Sequence, residues 1–194
     1  MTRPTRTLYL IACAAPPARR ITTPIRAAQA AGWDVCLILT PAAHRWATED
    51  ADGELAALEK LTGHPVRWQY KLPSQPDALP APDAILAAPL TSNSLHKWAA
   101  GISDTLALGL LTEALGLQPR IPVVALPHWN AAQDRHPATA GSIATLREAG
   151  VAVLHGETGF VPHEPRHGDV DAYPWHTALA ALPGTPRGRG VPGN

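Results

Sequence analysis

The chain has 194 residues, enough for one domain with a full core, and its 16 basic and 16 acidic residues cancel. That balance leaves no long-range field for nucleic acid or an anionic membrane, and no apolar run reaches membrane-spanning length. Charged residues are only 16% of the chain and alanine is abundant, a composition compatible with surface covered by partner subunits.

Residues 7–13 form an apolar run that reads as a first β-strand; with its arginines the start also has the outline of a short signal peptide. Residues 19–31 have helical character and end at Gly32, a suitable C-cap. A second buried strand covers 33–39. A helix covers 54–61 and stops at Gly63, and 65–70 reads as a third strand. Residues 72–82, with four prolines, can be neither regular strand nor regular helix and are read as a surface connection or flap. Further strands are predicted at 83–88, 122–126 and 151–154, and helices at about 105–115 and 139–149, the latter closed by Gly150. Residues 173–182 are read as a short docking helix and 183–194 as a disordered tail, giving one domain over 1–182. Cys13 and Cys36 both lie in apolar strand-like runs, which suggests reduced thiols in a cytoplasmic protein.

Near-continuous apolar strands separated by helices predict an α/β fold: a Rossmann-like, flavodoxin-like parallel sheet with helices on both faces. Ligands of such sheets bind beyond the strand carboxyl ends. Four loops therefore matter.

The first holds Cys13 and Ala14 and has no GxGxxG; its small residues leave room for a flat ring or one phosphate, or it is an ordinary connection. In the second, Thr40 can meet a phosphate or a flavin edge, or simply cap a helix that opens on Pro41. His44 is a candidate base or a solvated side chain. The third, Pro89 to Ser94, concentrates Thr91, Ser92, Asn93 and Ser94 at a helix start, where the dipole and unpaired N–H groups favour an anion. One such residue suffices as a cap, and four suggest a ligand. After it, Gly101 and Asp104 break the helix, with Asp104 read as the next N-cap. The fourth loop holds Pro127, His128, Trp129 and Asn130. Asn130 can both donate to and accept from a carboxylate, an amide or a flavin edge, or serve as a turn residue. No His/Cys cluster has metal spacing, and no GxSxG, P-loop or CxxC occurs.

The last two loops resemble the homo-oligomeric flavin-containing cysteine decarboxylases, which include phosphopantothenoylcysteine and lantibiotic peptidyl-cysteine decarboxylases. Pro89-Leu90-Thr91-Ser92-Asn93-Ser94 is similar to that family's Pro-Ala-Ser-Ala-Asn-Thr. Lys97, Ala99, Gly101 and Asp104 follow its Lys-x-Ala-x-Gly-x-x-Asp. Pro127 to Asn130 follow its Pro-x-Met-Asn, and His136-Pro137-Ala138 its His-Pro-Ala.

The resemblance implies FMN near a subunit interface of a trimer, or of a dodecamer of trimers. It implies that Cys13, Ala14, Thr40, Thr91, Ser92 and Asn93 surround the cofactor, with Ser103 and Asp104 near the isoalloxazine. It also implies that His128, Trp129 and Asn130 meet a small-molecule or peptide substrate with a cysteine-like end, with Asn130 as the catalytic, substrate-orienting residue. Three positions depart from the pattern. The family histidine, about fourteen residues before the motif proline, falls on Gln75, and His64 is the nearest upstream alternative. Trp129 replaces the methionine before Asn130, and Gln133-Asp134 replaces a second Met-Trp. The first loop lacks the family's glycines. The first departure bears on acid/base chemistry. Three functions follow: an oxidative decarboxylase of a cysteine-derived carboxylate, an FMN-binding protein with another redox reaction or a regulatory role, or a scaffold without flavin.

Overall fold

The computed structural model describes residues 6–49 and 54–184. Five apolar runs become strands: β1 (Arg6–Ala12), β2 (Trp33–Leu39), β3 (Ala84–Leu90), β4 (Val123–Pro127) and β5 (Ala152–Val153). They form one parallel sheet in the order β2-β1-β3-β4-β5, with Leu10 opposite both Leu37 and Leu86. This is the doubly wound order whose chain direction reverses between β1 and β3, the topological switch point.

Side chains alternate across the sheet, as strand geometry requires. Leu8, Leu10 and Ala12 enter one core with α1 (Thr22–Ala30), α2 (Pro41–Glu49), α3 (Glu54–Thr62) and α8 (Trp175–Ala180). Tyr9, Ile11 and Cys13 enter the other with α4 (Ser92–Ala99), α5 (Leu106–Gly116) and α7 (Pro137–Glu148). A four-residue helix, α6 (Ala131–Asp134), lies between β4 and α7. Among the described residues no helix is long and apolar enough to cross a membrane.

Several expectations need correction. Residues 65–70 are not a strand. Only Arg67 meets β2, through Arg67 N–H to Leu37 O and Leu39 N–H to Arg67 O, and Pro65 has no N–H to extend the ladder. The predicted helix 19–31 divides into a 3-10 turn (Pro16–Arg20) and α1. In a continuous helix Pro24 would remove a hydrogen bond and strike the preceding turn; in the first turn of α1 it costs nothing. Gly32 closes α1 with φ +84°, as its identity suggests. The N-cap of α5 is Thr105, which accepts from Leu108 N–H at 3.2 Å, rather than Asp104, whose carboxylate is held by Lys97. Of the tail predicted over 183–194, all but Pro183 and Gly184 lies outside the described residues. The carbonyls of those two accept from Arg6 at 2.7 and 2.9 Å.

Candidate functional site at the switch point

The loops after β1 and β3 meet at the switch point. Cys13 N–H donates to Pro89 O at 2.9 Å, and the neighbouring loop joins through Thr40 N–H to Ala12 O at 3.0 Å. Side chains reinforce the junction: the Cys13 thiol donates to Ser94 Oγ at 3.3 Å, and Thr91 Oγ1 lies 3.2 Å from Ser94 Oγ. Cys13 is 2% exposed, so its side chain turns into the protein. Burial raises the pKa of its thiol and keeps it protonated, in spite of the opposing effect of hydrogen bonding with Ser94 and Thr91.

Thr91 is the N-cap of α4, accepting from Ser94 N–H at 3.3 Å. Leu95 N–H turns back to Thr91 O. Among the described residues no partner is found for the N–H groups of Ser92 and Asn93, in the first turn of α4 at the positive end of the helix dipole. The helix itself is fixed. Leu95 and Trp98 are buried, Trp98 Nε1–H donates to Leu111 O at 3.0 Å, and His96 meets Thr139 Oγ1 at 3.2 Å. Its far end closes in a Schellman turn, with Ile102 N–H to Lys97 O, Gly101 N–H to Trp98 O, and φ +74° at Gly101.

The β4 loop abuts the same turn, since Leu90 pairs with Pro127 and His128 N–H donates to Leu90 O at 2.9 Å. Asn130 caps α6 in a reciprocal box: its Oδ1 accepts from Gln133 N–H at 3.0 Å while Gln133 Oε1 accepts from Asn130 N–H at 3.2 Å. This fixes the carboxamide oxygen, and among the described residues the NH2 group has no hydrogen-bond partner. Trp129 is 2% exposed; its ring packs in the α4/α5/α7 core and its N–H donates to Asp134 at 2.8 Å. Asp134 also binds His155 at 2.7 Å, so one carboxylate locks the loop from below. His128, 9% exposed, sits among Phe160, His163 and Tyr173. Burial first and His163 second push its pKa down to about 4, so the ring is neutral near pH 7.

The structure thus gathers Cys13, Ala14, Thr40, Thr91, Ser92, Asn93, His128 and Asn130 at one end of the sheet. Ser103 and Asp104 are not brought to that turn within one chain; they are exposed beyond the far end of α4, about 12 Å of helix away. Neither substitute for the family histidine joins the group. Gln75 is exposed, with its Oε1 held by Leu72 N–H. His64 pairs with Asp34 at 2.8 Å, and Asp34 is the second residue of β2, at the opposite end of the sheet. Two further residues take part. Ser94 bridges the two loops. Tyr173 donates to Leu126 O at 2.7 Å beside Cys13, with its pKa raised by burial and then by that thiol. The four consecutive hydroxyl and amide side chains did signal Ser94, whereas no local pattern marks Tyr173.

The donor set fits a flavin phosphate: two N–H groups on a dipole end, with hydroxyls beside them. The absence of glycine in the first loop does not block the cradle, because the Cys13 side chain points inward to Ser94.

Comparison with known proteins bears on the family and the fold. The sequence model of the family described as Flavoprotein matches residues 4–174. The coenzyme A biosynthesis bifunctional protein CoaBC of Mycobacterium tuberculosis is 33% identical over 141 residues, covering 66% of this chain and 32% of that protein. The chain therefore spans about a third of the length of the curated relatives it matches. Among solved structures, the cypemycin decarboxylase CypD superposes with a TM-score of 0.65 at 19% identity, covering 92% of each chain. The epidermin biosynthesis protein EpiD from Staphylococcus aureus gives 0.58 at 21% identity, covering 76% of this chain and 81% of its own.

Proposed function

The chain belongs to the Flavoprotein family, and on that footing we propose that it binds FMN at the β1/β3 switch point and oxidatively decarboxylates a cysteine-derived carboxylate. The observation that carries the reading is the bonded cluster of Cys13, Ser94 and Thr91, which holds two unpartnered N–H groups at the start of α4. Ser92 and Asn93 N–H, with the Thr91 and Thr40 hydroxyls, would hold the phosphate end. Bound there, the flavin supplies a two-electron acceptor for the carbon bearing the thiol, which makes loss of carbon dioxide easy. The Asn130 NH2 group then donates to the substrate carboxylate, and its orientation is set because Oδ1 is already bonded to Gln133. His128 stays neutral beneath the loop and supplies shape rather than a proton.

Homo-oligomerisation belongs to the same proposal. Tyr70, Leu72 and Ile102 are exposed, and Ser103 and Asp104 would reach an isoalloxazine only in a neighbouring subunit. The unpaired thiols of Cys13 and Cys36 suit a reducing cytoplasm.

A second reading has its own support. With His64 at the wrong end of the sheet and Gln75 bonded in an exposed turn, an FMN protein with a different redox reaction or a regulatory role fits the same turn. One experiment separates the two. The purified protein, reconstituted with FMN, is mixed anaerobically with cysteine-ended peptides and phosphopantothenoylcysteine. Carbon dioxide release matched by bleaching of the bound flavin supports decarboxylation. Bound flavin without release supports the second reading, and failure to bind flavin defeats both.

A further inference from the structure

We propose that His96 is a positioning residue that, through Thr139 and Gln133, holds the Asn130 donor of the β4 turn in place against α4. The proposal rests on the decarboxylase reading above and adds to it a link between the turn that receives the anion and the turn that orients the substrate.

The link is a run of hydrogen bonds whose direction is determined. Thr139, 2% exposed, donates its hydroxyl proton to Gln133 O at 3.0 Å. A carbonyl only accepts, so that proton is spent, and Thr139 Oγ1 accepts from His96 Nε2–H at 3.2 Å. His96 is therefore held as the Nε2–H tautomer. Burial first and His136 second lower the pKa of its ring, which is neutral near pH 7. The neighbouring His136, with ring centroids 5.6 Å apart, is committed elsewhere: its Nδ1 accepts from Ala138 N–H at 3.2 Å and caps α7.

The run ends on the group the reaction needs. At four residues α6 is too short to hold itself. Gln133 exchanges both bonds of the capping box with Asn130, so whatever fixes Gln133 fixes the carboxamide. At the other end, His96 stands one turn beyond Ser92 on the same side of α4. Helical side chains lean toward the N-terminus, here toward the first turn with the Ser92 and Asn93 N–H groups. That helix is anchored by Leu95 and Trp98. Asp134 ties the β4 loop to Trp129 and His155, and His96 adds the tie to α4. A leucine could fill space between α4 and α7, but only a donor at this place engages the Thr139 oxygen.

The test compares the full chain with His96→Leu, Thr139→Val, His96→Gln and Thr139→Ser. The glutamine amide N–H stands as many bonds from Cα as Nε2, and serine keeps the hydroxyl. In the flavin-free protein, exchange of Gln133 N–H, the donor to Asn130 Oδ1, should quicken roughly tenfold in His96→Leu and Thr139→Val. It should return to the wild-type rate in His96→Gln and Thr139→Ser. Exchange of Ser94 N–H, bonded to the α4 cap, and the FMN Kd should hold throughout. Anaerobic bleaching of bound FMN by phosphopantothenoylcysteine or a cysteine-ended peptide should slow by on the order of ten- to a hundredfold in the first two variants and recover in the other two. Unaltered Gln133 exchange or unaltered bleaching in the first two, or no recovery in the others, would overturn the proposal. So would faster Ser94 exchange with a parallel loss of FMN affinity, which is the mark of ordinary helix packing. The predicted exchange pattern in a protein whose flavin neither substrate bleaches would uphold the link and overturn the decarboxylase reading alone.

Discussion

The β3 and β4 turns follow buried parallel strands, lie side by side, and are each capped by a side-chain oxygen, yet they differ in what remains available. At the β3 turn, Thr91 satisfies Ser94 N–H, and the N–H groups of Ser92 and Asn93 stay open on a helix of eight residues anchored by Trp98. At the β4 turn, Asn130 caps a helix of four residues, too short for a substantial dipole, and what stays open is one amide NH2 over a base locked by Asp134. The first turn is therefore suited to an anion, and the second to orienting one small polar group. Capping alone would make them equivalent.

The largest expected effect separates capping from substrate binding at the β4 turn. Asn130→Asp keeps a good N-cap, so stability should hold. It replaces a donor by a like charge facing the substrate carboxylate, so kcat/KM should fall by on the order of a hundredfold. Turnover that survives would remove Asn130 from the reaction.

Next is the neutral imidazole beneath that turn. The folded pKa of His128 is depressed from 6.5 to about 4, so between those values the unfolded chain binds the additional proton. Its contribution is complete above pH 6.5 and lost as pH falls toward 4, by about 3 kcal/mol. Denaturant midpoints across that range should show this slope, and His128→Gln should flatten it. An unchanged slope would place the titration elsewhere.

At the β3 turn, Ser92→Asp should move binding and stability in opposite directions. A carboxylate in the first turn favours the helix dipole by about 0.3–1 kcal/mol but repels a phosphate, so flavin affinity should drop about tenfold while Tm holds or rises. Weaker binding with a parallel loss of Tm would indicate ordinary unfolding. The smallest effect is Thr91→Val, which removes one cap and should cost about 1 kcal/mol. Loss of several kcal/mol, read by chemical denaturation, would mean that the Cys13–Ser94–Thr91 cluster is a structural keystone rather than a cradle.

The sheet was legible because its strands are buried on both faces and therefore uniformly apolar; β2 begins and ends where the run Trp33–Leu39 does. Residues 65–70 share the β-favouring composition, but pairing depends on backbone donors and on how long the chain stays beside β2, which composition does not encode. The β3 turn was legible because its polar residues are contiguous. Tyr173 was not, since it reaches Leu126 across 47 residues of chain that include α6, α7 and β5. His64 illustrates the converse: it is near the site in sequence, but the fold carries it to the amino end of β2.

Amide exchange followed residue by residue on the full chain, with and without FMN, bears most directly on where the flavin sits. Protection of Ser92 and Asn93, with smaller changes at Ala14 and Thr40, is the predicted result. Protection confined to other regions, or none at saturating FMN, would contradict a flavin site at the β1/β3 switch point.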